Sequence, residues 1–127
     1  MTKFSEKYFS VEFTNVSSFK TLGIDFSMFF KTTKSLKGFH IPDSEIETDE
    51  LKDILEGIRA NSSLEVLTLK KEVTNIEELR EISETLKAHP SLKEFVLIRD
   101  DISVNVEELF SDAPFKFESR KLNTKSE

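Results

Sequence analysis

The segment Ser63-Leu64-Glu65-Val66-Leu67-Thr68-Leu69 carries leucine at its second, fifth and seventh positions, and this apolar pattern recurs at a fixed spacing along the chain. One step forward gives Ser91-Leu92-Lys93-Glu94-Phe95-Val96-Leu97, and one step back gives Ser35-Leu36-Lys37-Gly38-Phe39-His40-Ile41. A further step back places Tyr8, Val11 and Phe13 at the three apolar positions. Self-similarity at a fixed period, here about 28 residues, is the signature of stacked structural units, so the pattern predicts four short strands in one register.

The segments between these strands repeat an apolar pattern of their own. Spacings of three and four residues place side chains on one face of a helix. The central pair of segments has this spacing at equivalent positions, which are Leu51, Ile54 and Ile58, and then Leu79, Ile82 and Leu86. A comparable face precedes them at Leu22, Phe26, Phe29 and Phe30, and a shorter one follows at Val106, Leu109 and Phe110. Pro114 should end the last helix.

Pairs of acidic residues mark the predicted helix starts, at Asp49-Glu50, Glu77-Glu78 and Glu107-Glu108. Carboxylates in a first turn interact favourably with the helix dipole, by about 0.3–1 kcal/mol each. Ser44 with Glu47 additionally fits the spacing of a capping box. Because the pairs recur once per unit, we interpret them as structural and not as acid–base or metal-binding groups.

The composition is that of one globular domain of 127 residues with net charge -6. We place this domain at residues 1–118 and expect residues 119–127 to be a polar, disordered tail. An acidic chain is a poor match for nucleic acid, and no stretch is apolar enough for a membrane span or a signal peptide. The absence of cysteine argues against a disulfide-stabilised secreted domain, so we expect a cytoplasmic protein.

The segment Asn61-Ser62-Ser63-Leu64 with its strand, preceded by Leu51-x-x-Ile54-Leu55-x-x-Ile58-x-x-Asn61, resembles the leucine-rich repeats of the ribonuclease-inhibitor type. Similar units occur in tropomodulins and NOD-like receptors. The resemblance covers about residues 8 to 110 and implies an α/β fold: a short solenoid of about four 28-residue units, with parallel strands and outer helices. The family often has asparagine after the strand, where this chain has Val16, Ser44, Glu72 and Asp100. We therefore expect its turns to be held together in another way.

In this architecture the strand residues that point away from the helices form a concave face that commonly binds proteins. Alternation along each strand assigns residues to that face. The partner-binding residues predicted in this way are Glu12, His40, Val66, Thr68, Lys70, Glu94, Val96 and Ile98. Among them, Val66, Val96 and Ile98 would form a contiguous apolar spot, which is typical of an interaction site.

An alternative interpretation concerns the end of the chain. Phe115 and Phe117 alternate with Lys116 and Glu118, as in a strand with one buried side. Residues 113–118 would then cover the open edge of the last strand, which otherwise invites aggregation. The sequence leaves a partner site and a self-covered edge as equal alternatives.

These observations predict a noncatalytic protein-interaction module whose partner is a protein of unknown identity. We predict no catalytic, cofactor-binding or metal-binding residues, since the chain has two histidines, no cysteine and no glycine-rich phosphate loop. Two other functions stay open. One is a small acidic inhibitor or antitoxin-like protein that captures a basic enzyme, and the other is a structural protein that forms a homo-oligomer through its open sheet edge.

Overall fold

The computed structural model describes residues 2–5, 10–14, 25–44, 46–71, 76–99 and 106–121. Within them the chain forms a single six-stranded sheet in which the strands are ordered as they occur in the sequence. The strands are β1 (Thr2–Ser5), β2 (Ser10–Phe13), β3 (Gly38–Ile41), β4 (Val66–Lys70), β5 (Glu94–Arg99) and β6 (Lys116–Lys121). β1 is antiparallel to β2, and the strands from β2 to β6 are parallel, which confirms the predicted α/β class with a parallel sheet.

Neighbouring parallel strands pair at a constant offset in sequence. Phe39 lies opposite Val11 on one side and Leu67 on the other, and Leu67 lies opposite Phe95. These partners are separated by the predicted period, so the predicted register of the four strands is confirmed. β6 departs from it, because one further period from Phe95 would reach Asn123, whereas the residue that pairs with Phe95 is Phe117.

Four helices connect the parallel strands in the described part of the chain. They are α1 (Phe26–Thr32), α2 (Thr48–Arg59), α3 (Ile76–Lys87) and α4 (Val106–Leu109). The predicted acidic pairs lie in the first turns of α2, α3 and α4. The predicted capping box of Ser44 with Glu47 is wrong. α2 begins one turn later, with Glu47 as its N-cap, and the Glu47 backbone N–H donates to Glu50 Oε1 at 3.0 Å.

The hydrophobic core lies between the helices and one side of the sheet. The predicted inward positions of the strands and the predicted apolar faces of the helices are buried in it, except that Phe29 and Leu109 are only partly buried. Tyr8 and Leu22 lie outside the described residues. Phenylalanine rings fill both ends of this layer. At one end Phe39 packs against Phe13 and Phe30, with ring centroids 5.9 and 4.7 Å apart, and at the other Phe110 stacks on Phe117 at 4.3 Å.

The two outermost strands extend the sheet beyond the four predicted ones. β6 pairs along the whole of β5, so residues 113–118 lead into a strand that covers the β5 edge. The predicted domain boundary after residue 118 falls inside this strand, and residues 119–121 belong to the sheet and not to a disordered tail. β1 was not predicted. Residues 122–127 lie outside the described residues.

Serine side chains tie neighbouring strands together at their amino ends. Ser63 Oγ donates to the Leu36 carbonyl at 2.7 Å, and Ser91 Oγ donates to the Leu64 carbonyl at 2.8 Å. Of the four positions that lack the family's asparagine, Val16, Glu72 and Asp100 lie outside the described residues, and Ser44 is buried. The described ties thus lie before the strands, at the opposite end from the position where the family places its asparagine.

Candidate functional site

The eight predicted partner-binding residues all lie on the sheet face opposite the core, which we call the open face. The pairing of β2 to β6 arranges the open face in rows that run across the strands. The rows are Ser10, Gly38, Val66, Glu94 and Lys116; then Glu12, His40, Thr68, Val96 and Glu118; then Lys70, Ile98 and Arg120. Alternation along each strand produces this arrangement, because the intervening residues point into the core.

His40 and Thr68 form the best-defined polar contact of the open face. Nδ1 of His40 lies 2.8 Å from Oγ1 of Thr68 on the neighbouring strand, which is a short hydrogen bond. Burial lowers the pKa of His40 below 6.5, and the carboxylates of Glu12 and Glu94 offset part of that shift. The imidazole is therefore mainly neutral at pH 7, and its ring is fixed by the bond to β4.

Gly38 gives the His40 ring its place. A Cβ at position 38 would lie 2.9 Å from His40 Nε2 and 2.8 Å from Ser10 Oγ, both closer than real Cβ contacts allow. The space above the Gly38 backbone is therefore occupied by two groups. One is the ring of His40, from β3 itself, and the other is the hydroxyl of Ser10, from β2. The absence of a side chain at position 38 therefore leaves the space that the imidazole occupies.

The apolar residues of the open face are less accessible than alternation alone suggests. Val96 and Ile98 each expose 5% of their surface, whereas Val66 is half-buried. Both buried residues lie on β5, between β4 and β6. The predicted apolar spot thus presents mainly Val66, and a contact of Val96 and Ile98 with a partner stays a prediction.

Charged side chains surround this centre. Glu12 and Glu94 are half-buried and make no ion pair or side-chain hydrogen bond within the described residues. Glu118, by contrast, accepts a bond from Arg120 Nε at 3.2 Å on the same strand. The β6 residues Lys116, Glu118 and Arg120 also belong to the open face, and sequence reasoning left them out. The alternation of Phe115 and Phe117 with polar residues was the signal that points to them.

A cavity lies away from the open face, at the carboxyl ends of α2 and α3. It has a volume of about 260 Å³ and is lined by Ile58, Arg59, Glu84, Thr85, Ala88, His89 and Pro90. The Arg59 guanidinium is already engaged there, as it donates to Thr85 Oγ1 at 2.9 Å and lies 3.5 Å from Glu81. His89 is predominantly buried, and burial lowers its pKa. This cavity contains none of the predicted site residues.

Neither a metal centre nor a membrane-spanning helix is found in the part of the chain that the structure describes. Its histidine and acidic side chains form no group of three or more that would hold a metal ion. None of its helices is both long enough and apolar enough to cross a bilayer. The chain matches no protein-family model and no curated protein.

Proposed function

We propose that the chain is a short leucine-rich-repeat solenoid of about four 28-residue units. The constant offset between β2, β3, β4 and β5 supports this proposal. So do the ties of Ser63 and Ser91, which are one period apart and bond to the carbonyls of Leu36 and Leu64, themselves one period apart. Stacked units of this kind bury a continuous core that no single unit could form alone.

The solenoid serves as a noncatalytic module that binds a protein partner through the open face. The observation that carries this proposal is the continuity of that face: four paired strands present all eight predicted residues on one side, held in a hydrogen-bonded sheet. A face of this kind loses little conformational entropy on binding, because its backbone is already fixed. Its chemistry suits a protein, since half-buried Val66 lies among the polar residues His40, Thr68 and Glu94. The cysteine-free sequence favours the cytoplasm as the place of action.

The open face is tested by blocking it at its centre. Val66→Arg places a long side chain between Gly38 and Glu94, and since Val66 is half-buried the strand should tolerate the change. Ser62→Arg alters the charge equally at an exposed turn outside the open face. Thermal unfolding and circular dichroism of both variants establish that the fold is retained.

The wild-type chain and both variants are then used as bait in affinity purification with quantitative mass spectrometry. We expect a protein that is retained by the wild type and by Ser62→Arg but is depleted at least about tenfold by Val66→Arg, a loss of about 1.4 kcal/mol of binding. A photo-crosslinking amino acid at position 66, but not at position 62, should form an adduct with the same protein. Equal recovery with all three baits would contradict the proposed binding face.

A further inference from the structure

The strand β6 lies at one end of the sheet, and its outer edge pairs with no other strand in the part of the chain that the structure describes. The Lys116 N–H points towards β5, where it donates to the Lys93 carbonyl at 2.9 Å. Because successive residues of a strand direct their backbone groups to opposite sides, Phe117, Ser119 and Lys121 direct theirs outwards. This edge therefore offers N–H and C=O groups in the arrangement that a further strand requires.

Two opposite charges flank the middle of the same edge. Glu118 and Arg120 lie on either side of Ser119 in the sequence, and both side chains project on the open face and reach solvent. Reversing the direction of the strand about Ser119 exchanges Glu118 with Arg120, so each charge meets its opposite. A segment with this symmetry is complementary to a second copy of itself.

We propose that two copies of this chain associate through β6, independently of the partner that the open face binds. The two β6 strands pair in antiparallel orientation about a twofold axis at Ser119, so that Glu118 of each copy lies opposite Arg120 of the other. Phe117 of each copy lies opposite Lys121 of the other in the same register. Since residues directly opposite each other share one side of a sheet, the open faces of the two copies lie on the same side of one continuous sheet.

The backbone and the side chains of β6 favour the same register. In antiparallel pairs, hydrogen-bonded residue pairs alternate with non-bonded pairs, whose side chains are closer together. The outward backbone groups of Phe117, Ser119 and Lys121 form the hydrogen-bonded pairs, which leaves Glu118 and Arg120 in the closely spaced positions. Opposite charges directly across two strands stabilise the pairing, and like charges destabilise it.

Neighbouring registers fit less well. Centring the pairing on Glu118 places that carboxylate opposite itself and Lys116 opposite Arg120, so both contacts are repulsive. Centring it on Phe117 pairs Lys116 with Glu118, but the contact then extends to Pro114, which precedes the strand and has no N–H to donate. The proposed register is the one that joins opposite charges along most of β6.

The apolar layer behind β6 agrees with a contact at this end. The ring of Phe117 is only half-buried, although it stacks on Phe110 in the core. The end of a stack of repeated units requires either a polar surface or a covering element. A second copy placed against β6 covers more of this ring.

The mass of the chain in solution tests whether two copies associate. Sedimentation equilibrium from about 1 μM to about 1 mM spans the range expected for a small, reversible interface. The mass should rise from 14.7 kDa to twice that value and no further. A mass that stays at one copy throughout would overturn the proposal. So would growth beyond two copies, which a head-to-tail contact between β6 and the opposite sheet edge at β1 would produce.

Charge reversal on β6 tests the register. Glu118→Arg places an arginine opposite Arg120 of the second copy, and Arg120→Glu places a glutamate opposite its Glu118, so each variant should lose at least about tenfold in self-association. Lys116→Gln, which removes a cation from the same strand outside the paired residues, should stay within about twofold, as should Val66→Arg on the open face. Circular dichroism establishes that the variants are folded. A loss with either control as large as that with the charge reversals would overturn the register.

Mixing the two charge-reversal variants gives the decisive measurement. In the proposed register the arginine introduced at position 118 lies opposite the glutamate introduced at position 120, and the remaining Arg120 and Glu118 also face each other. The mixture should form a heterodimer with an affinity within about tenfold of the wild-type homodimer, although neither variant associates alone. Native mass spectrometry separates the two species, since the variants differ in mass. Misfolded chains would not regain association on mixing. A mixture without heterodimer would overturn the proposed pairing of Glu118 with Arg120.

Discussion

Asn61 and His89 lie 28 residues apart, just after the ends of α2 and α3, and each accepts a hydrogen bond from the backbone of the serine two residues later. Asn61 Oδ1 accepts from the Ser63 N–H at 2.9 Å, and His89 Nδ1 accepts from the Ser91 N–H at 3.2 Å. The two side chains differ at their other end. The Asn61 amide donates to the carbonyls of Phe30 and Thr33, whereas His89 Nε2 is buried without a hydrogen-bond partner among the described residues.

The difference predicts that Asn61 is among the most costly polar residues to remove. Besides the bond from Ser63, its Oδ1 accepts from the Leu64 N–H at 2.9 Å, and its amide nitrogen donates to the Phe30 carbonyl at 3.0 Å. Asn61→Ala leaves these buried groups unpaired, so we expect the free energy of unfolding to fall by about 3 kcal/mol. Urea unfolding measures this change. Ser62→Ala, at the exposed neighbouring position, should change stability by less than about 0.5 kcal/mol. Equal effects of the two substitutions would contradict the bonding scheme.

His89 predicts a loss of stability in acid. Burial lowers its pKa in the folded chain below 6.5, with a smaller opposing effect from the Asn61 backbone. Between the folded and the unfolded pKa the unfolded chain binds more protons, so the free energy of unfolding decreases as the pH falls. The stabilisation is complete above about pH 6.5, is lost progressively below it, and levels off once the folded pKa has been passed.

Urea unfolding from neutral to mildly acidic pH tests this prediction, with His89→Asn as the matched variant. Asparagine keeps an acceptor for the Ser91 N–H and does not titrate, so its stability at pH 7 should stay within about 1 kcal/mol of the wild type. The part of the acid dependence that comes from position 89 should disappear. His40→Gln identifies the part from the other histidine, whose pKa is also lowered by burial. An unchanged pH profile in His89→Asn would rule out this role.

The strand order and the core could be predicted because the apolar pattern of the sequence recurs at a fixed period. The strands β2 to β5 and the apolar faces of the helices follow from stepping one period at a time, and alternation then assigns each strand residue to a side. The position of β6 could not be predicted in this way, because Phe117, which pairs with Phe95, follows it by less than one period. One further full step from Phe95 would have reached Asn123, which lies beyond the strand.

Alternation predicts on which side of a sheet a residue lies, but it does not predict how much of the residue is exposed. Val96 and Ile98 lie on the predicted face and are nevertheless 5% exposed, because exposure depends on what flanks β5. The period does not predict β6, and without β6 the strand β5 would lie at the edge of the sheet. β1 carries too short a pattern to be found from its few residues alone.

Gly57 predicts a tight contact between α1 and α2. A Cβ at this position would lie 2.7 Å from the Phe30 Cβ and 3.1 Å from the Phe26 carbonyl oxygen, and neither group is the free end of a flexible side chain. Gly57→Ala should therefore reduce the free energy of unfolding by about 1–3 kcal/mol. On an unhindered helix the same change would stabilise by about 1 kcal/mol. Calorimetry decides the sign, with Asp53→Ala at an exposed position of α2 as the control.

The packing of Phe117 leads to a prediction about the stability of β6 against the rest of the fold. Its ring stacks on Phe110 with an interplanar angle of 10° and lies 5.7 Å from Phe95. Because Phe117 is only half-buried, Phe117→Ala should cost about 2 kcal/mol, less than the loss expected for a fully buried phenylalanine. Hydrogen exchange should show faster exchange across residues 116–121 while α2 stays protected. Lys116→Ala, which is exposed on the same strand, should leave both measurements nearly unchanged.

The environment of His40 can be tested without any partner. Desolvation lowers its pKa and the carboxylates of Glu12 and Glu94 raise it, so Glu12→Gln should lower the pKa of His40 further. A decrease in the pKa of His40 would show that the Glu12 carboxylate acts on the imidazole, because removing a distant carboxylate would leave that pKa unchanged. NMR titration of the ring carbon signals measures the pKa in each variant, with His89 as an internal reference. Glu108→Gln on α4 removes the same charge far from β3 and should leave the His40 titration unchanged. A His40 pKa above 6.5, or one insensitive to Glu12→Gln, would contradict this description of the imidazole's surroundings.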